Sequence, residues 1–342
     1  MTKTFMMPSE TAVQERVWMA FPPEGYSLGE GDEAKHEARS TWAAVAHACA
    51  RFEPVTVVVD PAEVHIARTY LSDEITIVEA PLDDAWMRDI GPTFVHADDG
   101  SVRGVDWVFN GWGAQDWARW EKDARIGSFV AGLADVPVVS SALVNEGGGI
   151  QVDGLGTALA TETVQLDSGR NPALTKDDVE REFARTLGAT HVIWLPRGLT
   201  RDNERFGTRG HVDIVAAIAA PGVVLVDDQQ DPAHPDFEIS AEIRDVFSRS
   251  VDALGRPWRI VNVPAPTVLE DDEGFVDYSY INHLVVNGGV VACSFDDPND
   301  AVAVKILSEA YPGREVVTVD ARPLFERGGG IHCITQQQPS PR

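Results

Sequence analysis

Towards its C-terminal end the chain runs Arg327-Gly328-Gly329-Gly330-Ile331-His332-Cys333-Ile334-Thr335-Gln336-Gln337-Gln338-Pro339. Glycines let a backbone approach another group closely and take φ values that other residues avoid. A cysteine on such a loop, beside a histidine and outside any apolar run, has the setting of a nucleophile. The alternative is a buried structural cysteine, the common fate of a lone thiol. Residues elsewhere must decide between them. Asp89 lies in Trp86-Met87-Arg88-Asp89-Ile90-Gly91-Pro92, and Glu146 in Asn145-Glu146-Gly147-Gly148-Gly149-Ile150. His211 and Asp213 lie in Gly210-His211-Val212-Asp213, and Asn282 in Ser279-Tyr280-Ile281-Asn282.

These residue types suit one kind of chemistry. A cysteine thiolate attacks an electrophilic carbon, and a histidine supplies or removes protons. Two carboxylates, Asp89 and Asp213, can hold a planar guanidinium, whose N–H forks match carboxylates bidentately. Its central carbon is then oriented for attack. Glu146 beside His211 would raise the imidazole pKa and keep it protonated as an acid for departing ammonia. No metal or cofactor is required. The competing readings are weaker. His211-x-Asp213 is half of a metal site, without the Cys/His cluster to complete it. Neither glycine triplet matches a phosphate-binding GxxxxGK[ST] loop. Asp89 with Arg88 would make a plain surface ion pair.

The spacing says what must position them. The intervals are 57 residues from 89 to 146, 65 from 146 to 211, 71 from 211 to 282 and 51 from 282 to 333. One polar loop in about every sixty residues is what repeated units give when equivalent loops meet at a common axis.

The elements between the loops alternate. Val17–Phe21, Val55–Asp60, Ile75–Val78, His191–Leu195, Ile214–Ala219, Arg259–Val263 and Val316–Val319 read as strands. Helices are expected over Glu33–Arg51, Pro61–Tyr70, Asp177–Leu187, Ser240–Leu254 and about 300–310, with a short one at Arg322–Glu326. Asn287-Gly288 is a hairpin turn signal. Trp107, Trp112, Trp117 and Trp120, four of the nine tryptophans, fall within fourteen residues and suggest a rigid wall. The acidic stretch from Asp227 to Glu238 lacks the glycine-centred spacing of a calcium loop and reads as solvated. No linker rich in Gly, Ser or Pro divides the chain, so residues 1–342 read as one large α/β domain.

Composition narrows the partners. Among 342 residues, Lys+Arg number 28 and Asp+Glu 54, a net charge of −26. That argues against nucleic acid and anionic membranes, which need basic faces. It suits a small cationic substrate drawn in by a negative field. Cys49 belongs on the inner side of a helix and Cys293 in an apolar strand, so neither competes with Cys333. Three cysteines without a CxxC make neither a disulfide framework nor a zinc ribbon. No basic-then-apolar leader opens the sequence, and the longest apolar run, Ile214 to Val226, is broken by Pro221-Gly222. A reducing cytoplasm is the expected location, with a homodimer expected because two-fold pairs are the commonest oligomers.

Together, Trp86–Pro92, Glu146–Ile150, Gly210–Asp213 and Gly329–Pro339 resemble the agmatine deiminase family, within the guanidino-modifying superfamily that includes bacterial peptidylarginine deiminases and amidinotransferases. Ser279–Asn282 and Phe109-Asn110-Gly111-Trp112-Gly113 fit as well. The resemblance runs in order from Trp18 to Pro339. It implies an α/β propeller of five ββαβ-type units around a central site. It also implies Cys333 as nucleophile, His211 as general acid and base, Glu146 as its partner, and Asp89 and Asp213 as guanidinium clamps. Trp86 and Asn282 would line the substrate. The reaction implied is conversion of agmatine to N-carbamoylputrescine and ammonia through a thiouronium adduct on Cys333, in putrescine synthesis. One departure stands out. Arg209 occupies the place where the family pattern has an acid directly before Gly210. Asp202 and Glu204 remain nearby to take a distal ammonium, whereas Arg209 in the pocket would suit a guanidino compound ending in a carboxylate. Transfer of the amidino group to an amine is the remaining enzymatic alternative.

Overall fold

The computed structural model describes residues 4–342. Its organisation is a recurring sequence of antiparallel strand pair, crossover helix and parallel strand. Thr93–Ala97 pairs antiparallel with Val102–Val108, the helix Ile126–Leu133 crosses over, and Val138–Val144 returns parallel. The pattern repeats with Gln151–Val152, Thr157–Thr161, the helix Lys176–Leu187 and His191–Leu195. It repeats with Ala216–Ala220, Val223–Asp228, the helix Asp236–Arg249 and Arg259–Pro264. It repeats again with Leu284–Val286, Gly289–Ser294, the helix Asp300–Ala310 and Glu315–Asp320. In the remaining sheet Gln14–Ala20 and Val55–Val59 flank the helix Gly31–Ala50, and Thr76–Glu79 adds a fourth strand. There the antiparallel partner comes from the far end of the chain: Thr335–Pro339 pairs with Gln14–Ala20, with Gln336 opposite Trp18.

Local sequence accounts for these elements. Val55–Val59, four valines and one threonine, is β-branched throughout, and it is buried on both faces, as a parallel strand under helices must be. The helix Gly31–Ala50 turns Trp42, Val45, Ala46 and Cys49 to the core. Losing a ring such as Trp42 from a core costs about 3–5 kcal/mol. Thr175 caps the helix Lys176–Leu187 in a reciprocal box with Asp178, and Gly188 ends it at φ 68°. Asn287-Gly288 makes the expected hairpin turn, with Val286 opposite Gly289.

Some boundaries differ from expectation. The helix expected over 240–254 runs from Asp236 to Arg249. Asp236 and Glu238 favour its positive N-terminal turn, and Val251 is drawn into a bridge with Pro257. The helix expected from Pro61 begins at Val64, after a turn. No helix among the described residues is long and apolar enough to cross a membrane.

The position of the polar loops within this pattern matters most. Asp89 sits on the single turn Met87–Ile90 just before the strand Thr93–Ala97. Glu146 precedes the turn Gly147–Gly149 and the strand Gln151–Val152. His211 and Asp213 precede Ala216–Ala220, Asn282 precedes Leu284–Val286, and Cys333 precedes Thr335–Pro339. Each of these five sheets thus contributes one loop at the same place, the lead-in to its first antiparallel strand.

Candidate active site

The five loops are tied to one another by their backbones. The Arg88 N–H donates to the Cys333 carbonyl at 3.1 Å, and the His332 N–H to the Asn282 side-chain oxygen at 2.9 Å. Gly148 N–H donates to Asp89 Oδ1 at 3.1 Å. Such crossings leave no room for side chains. A Cβ on Gly148 would lie 2.5 Å from His211 Nδ1 and 2.9 Å from Asp89 Oδ1. One on Gly329 would lie 2.9 Å from Cys333 Sγ. Of the terminal triplet only Gly328, at φ 114°, uses a conformation reserved for glycine; close approach explains the others. Gly148→Ala is therefore expected to displace His211 and lower kcat/KM by about 100-fold. Kinetics set beside a melting curve would check this, since a matching loss of stability would mean simple misfolding.

Cys333, His211, Asp89, Asp213, Glu146 and Asn282 are brought together and are at most 5% exposed. Cys333 Sγ lies 3.7 Å from Asp213 Oδ2 and 3.2 Å from the Asn282 amide nitrogen, which donates to it. His211 Nε2 faces Glu146 Oε2 at 3.3 Å and its Nδ1 lies 3.8 Å from Asp89 Oδ1. His211 Nδ1 and Asp213 Oδ1 are buried without a partner among the described residues, so both remain available to a bound molecule. Trp112 N–H fixes the other Asp89 oxygen at 2.8 Å. Trp86 stands against the Gly329 turn beside the thiol, with its ring packed edge-on to Trp42.

The charges follow from this packing. Burial disfavours a protonated His211, but Asp89 first, then Glu146 and Asp213, outweigh it and lift the imidazole to about 9. Burial raises Asp89 to about 6 against the pull of His211. Burial also raises Glu146, but Arg170 and His211 more than reverse it, leaving the carboxylate below its usual range. Cys333 is pushed well above an ordinary thiol by burial and by the negative charges of Asp213 and Asp89. Both causes favour the protonated thiol.

Several buried neighbours of these residues left no signal in the sequence. Arg170 Nε bonds both Glu146 oxygens at 3.0 Å, with both side chains fully buried. His332, noted only as the neighbour of Cys333, bridges Asp213 Oδ2 and Glu10 Oε1 at 2.7 Å each. Arg88 closes that row, 3.9 Å from Glu10. Carboxylates on both ring nitrogens require both to carry protons. Glu10 and His332 are 322 residues apart, beyond any local pattern.

Two expectations about the substrate tail change. Asp202 is not free to receive an ammonium. Its oxygens accept the N–H groups of Thr208, Gly210 and His211 and the Thr208 hydroxyl, at 2.6–2.9 Å. It anchors the loop that carries His211. Arg209 folds back on its own loop, donating to the carbonyls of Asn203 and Glu204 at 3.2 and 3.3 Å. Among the described residues, no group of three or more His, Cys, Asp or Glu is arranged to hold a metal ion.

Comparison with known proteins points the same way. Residues 6–339 match the model of the Porphyromonas-type peptidyl-arginine deiminase family. A Streptomyces coelicolor protein provisionally named agmatine deiminase is 57% identical over 337 residues, covering 98% of this chain and 99% of the relative. An agmatine deiminase of Pseudomonas syringae is 41% identical, covering 98% of this chain and 96% of its own length. The structure of Enterococcus faecalis agmatine deiminase superposes with a TM-score of 0.91 at 33% identity, over 98% of this chain and 96% of that one.

Proposed function

This chain belongs to the Porphyromonas-type peptidyl-arginine deiminase family, and from that premise we propose how its site works and on what. It is a hydrolase of C–N bonds in guanidino compounds, an agmatine deiminase by its likeness to relatives 40–57% identical over nearly their full length. The observation that carries the mechanism is the convergence of Asp89 and Asp213 on the space beside Cys333 and His211.

The guanidinium of agmatine lies between the two carboxylates, using the unpartnered Asp213 Oδ1. Its positive charge offsets the negative field that suppresses ionisation of Cys333, so the thiol releases its proton as substrate binds. The thiolate attacks the guanidino carbon. His211, held protonated by Asp89 and Glu146, donates to the amino group that leaves as ammonia. The neutral imidazole then takes a proton from water, which attacks the thiouronium carbon. The C–S bond breaks, Cys333 is regenerated, and N-carbamoylputrescine is released. Arg170 and His332 hold Glu146 and Asp213 in line for these steps. Arg209 bonds carbonyls of its own loop, which favours a tail ending in an ammonium over one ending in a carboxylate.

The recurrence of five loop-first units supports a five-bladed arrangement around a central axis, with residues 1–342 as a single domain. A cytoplasmic homodimer is the assembly we would expect.

The test is ammonia release with agmatine, arginine and 4-guanidinobutyrate side by side, with and without an amine acceptor. Release from agmatine in preference to both acids is expected. Preference for an acid-bearing substrate would bring Arg209 into the pocket. Amidino transfer without ammonia would sink the hydrolase.

A further inference from the structure

The loops that carry His211 and Asn282 share a foundation. It is a small chamber of about 10 Å³ walled by Asp227, His234, Asp236 and Asp277. The three aspartates are 3%, 3% and 8% exposed. Two of them hold the loops by the root. Asp227 Oδ1 accepts the Ser279 hydroxyl at 3.1 Å, and Ser279 Oγ accepts the Ile281 N–H, so the turn before Asn282 hangs on that carboxyl. Asp236 Oδ1 accepts the Thr200 N–H at 2.8 Å and its hydroxyl at 2.6 Å, two residues before the Asp202 that anchors His211. Asp277 stands two residues before Ser279, and its Oδ1 is buried without a partner among the described residues.

Among the described residues no cation is bonded to these acids. His234 Nε2 donates to the Val276 carbonyl at 3.1 Å while Nδ1 accepts the Asp236 N–H at 3.2 Å, a pairing that only the neutral ring can make. The arginines nearby are bound elsewhere: Arg201 to Asp271 and Glu273, Arg197 to Glu242, and Arg244 to Asp228. Asp202 and Asp228 add negative charge of their own. Burial, then Asp202 and Asp236, lifts Asp277 to about 7 against the pull of Arg201. Burial and Asp236 lift Asp227 well above the usual carboxyl range, and burial raises Asp236 in spite of its bonds to Thr200. Three bare carboxylates in so dry a space cost more than protonating some of them.

We propose that Asp227, Asp236 and Asp277 form a junction that keeps at least one proton at neutral pH, and that this proton locks the His211 and Asn282 loops to each other. The deiminase reading enters only in what those loops do. None of the three touches the reacting atoms, so they are positioning residues. When the proton leaves, repulsion opens the chamber and both loops loosen together.

The sign of the effect is fixed. An unfolded aspartate ionises near 4, so a carboxyl still protonated in the fold makes stability fall as pH rises from there to its folded value. The unfolding constant grows by up to about tenfold per pH unit for each such group. Urea unfolding at pH 5 and pH 8 tests this. In Asp277→Asn, which is neutral at both, the loss of stability between the two is expected to be smaller by about 10- to 100-fold in the unfolding constant. A loss equal to that of the wild type overturns the proposal, while a change common to both pH values cancels. Asp227→Asn, with the same expectation, serves if Asp277→Asn does not fold. Hydrogen exchange, corrected for its intrinsic pH dependence, supplies a second reading. Peptides carrying His211 and Asn282 should open together, about tenfold more at pH 8 than at pH 6 in the wild type and alike at both in the variant. Separate opening, or none that depends on pH, refutes the lock. Neither measurement uses substrate. A wild type that releases no ammonia from agmatine would therefore refute the deiminase reading and leave the junction standing.

Discussion

Replacing Cys333 with alanine is expected to cut ammonia release from agmatine by about four orders of magnitude or more, while leaving the melting temperature near that of the wild type. Among the described residues Cys333 Sγ touches only Asn282 and Asp213 by polar contact, and the side chain is small, so the packing cost is modest. The mutant should still bind agmatine, since Asp89 and Asp213 are intact. Rapid quench of the wild type followed by mass measurement should show an adduct on the peptide carrying Cys333, absent from the alanine variant. Residual activity within tenfold of wild type would mean that the carbon is attacked by water directly, and the covalent route would have to be abandoned.

The second large effect concerns His211. His211→Gln should lower kcat by about 100- to 10,000-fold, the usual worth of a positioned general acid. The pH profile separates this from mere disturbance of the site. In the wild type, kcat/KM should fall as pH rises through about 9, where His211 loses its proton, because the neutral ring cannot donate to departing ammonia. It should also fall below about pH 6, where Asp89 becomes protonated and the clamp loses a charge. In His211→Gln the alkaline limb near 9 should vanish. The acid limb should move upward, because His211 is what pulls the Asp89 pKa down against its burial. A variant that kept the alkaline limb would assign that titration to another group.

The loops and their order were legible in the sequence because each carries its chemistry locally. Asp89, Glu146, His211, Asp213, Asn282 and Cys333 stand at lead-ins to strands, and a lead-in can be read from glycines and apolar runs on either side. Their supports could not be read that way. Arg170 looks like any arginine on a polar stretch until it meets Glu146, 24 residues away in sequence. Glu10 is one acid among 54 until His332 reaches it across 322 residues. The same limit explains Asp202. Its type suits an ammonium, but a loop that turns back on itself brings four donors to its carboxylate, and backbone geometry outranks residue type. Helix ends were misjudged where an extended bridge, such as Val251 with Pro257, takes residues that an apolar pattern would have kept helical.

The pairing of Thr335–Pro339 with Gln14–Ala20 has a consequence for the protein's history on the ribosome. Asp89, Glu146, His211, Asp213 and Asn282 are all synthesised before Cys333, and every other sheet has all its strands by Asp320. The remaining sheet must wait, its Gln14–Ala20 edge unpaired, until the last of these strands emerges. The proposed nucleophile therefore arrives on the same segment that seals the oldest sheet. On the proposed mechanism a nascent chain carries the clamp and the acid but not the Cys333 thiol, so reactivity and closure of the fold are acquired in a single late event.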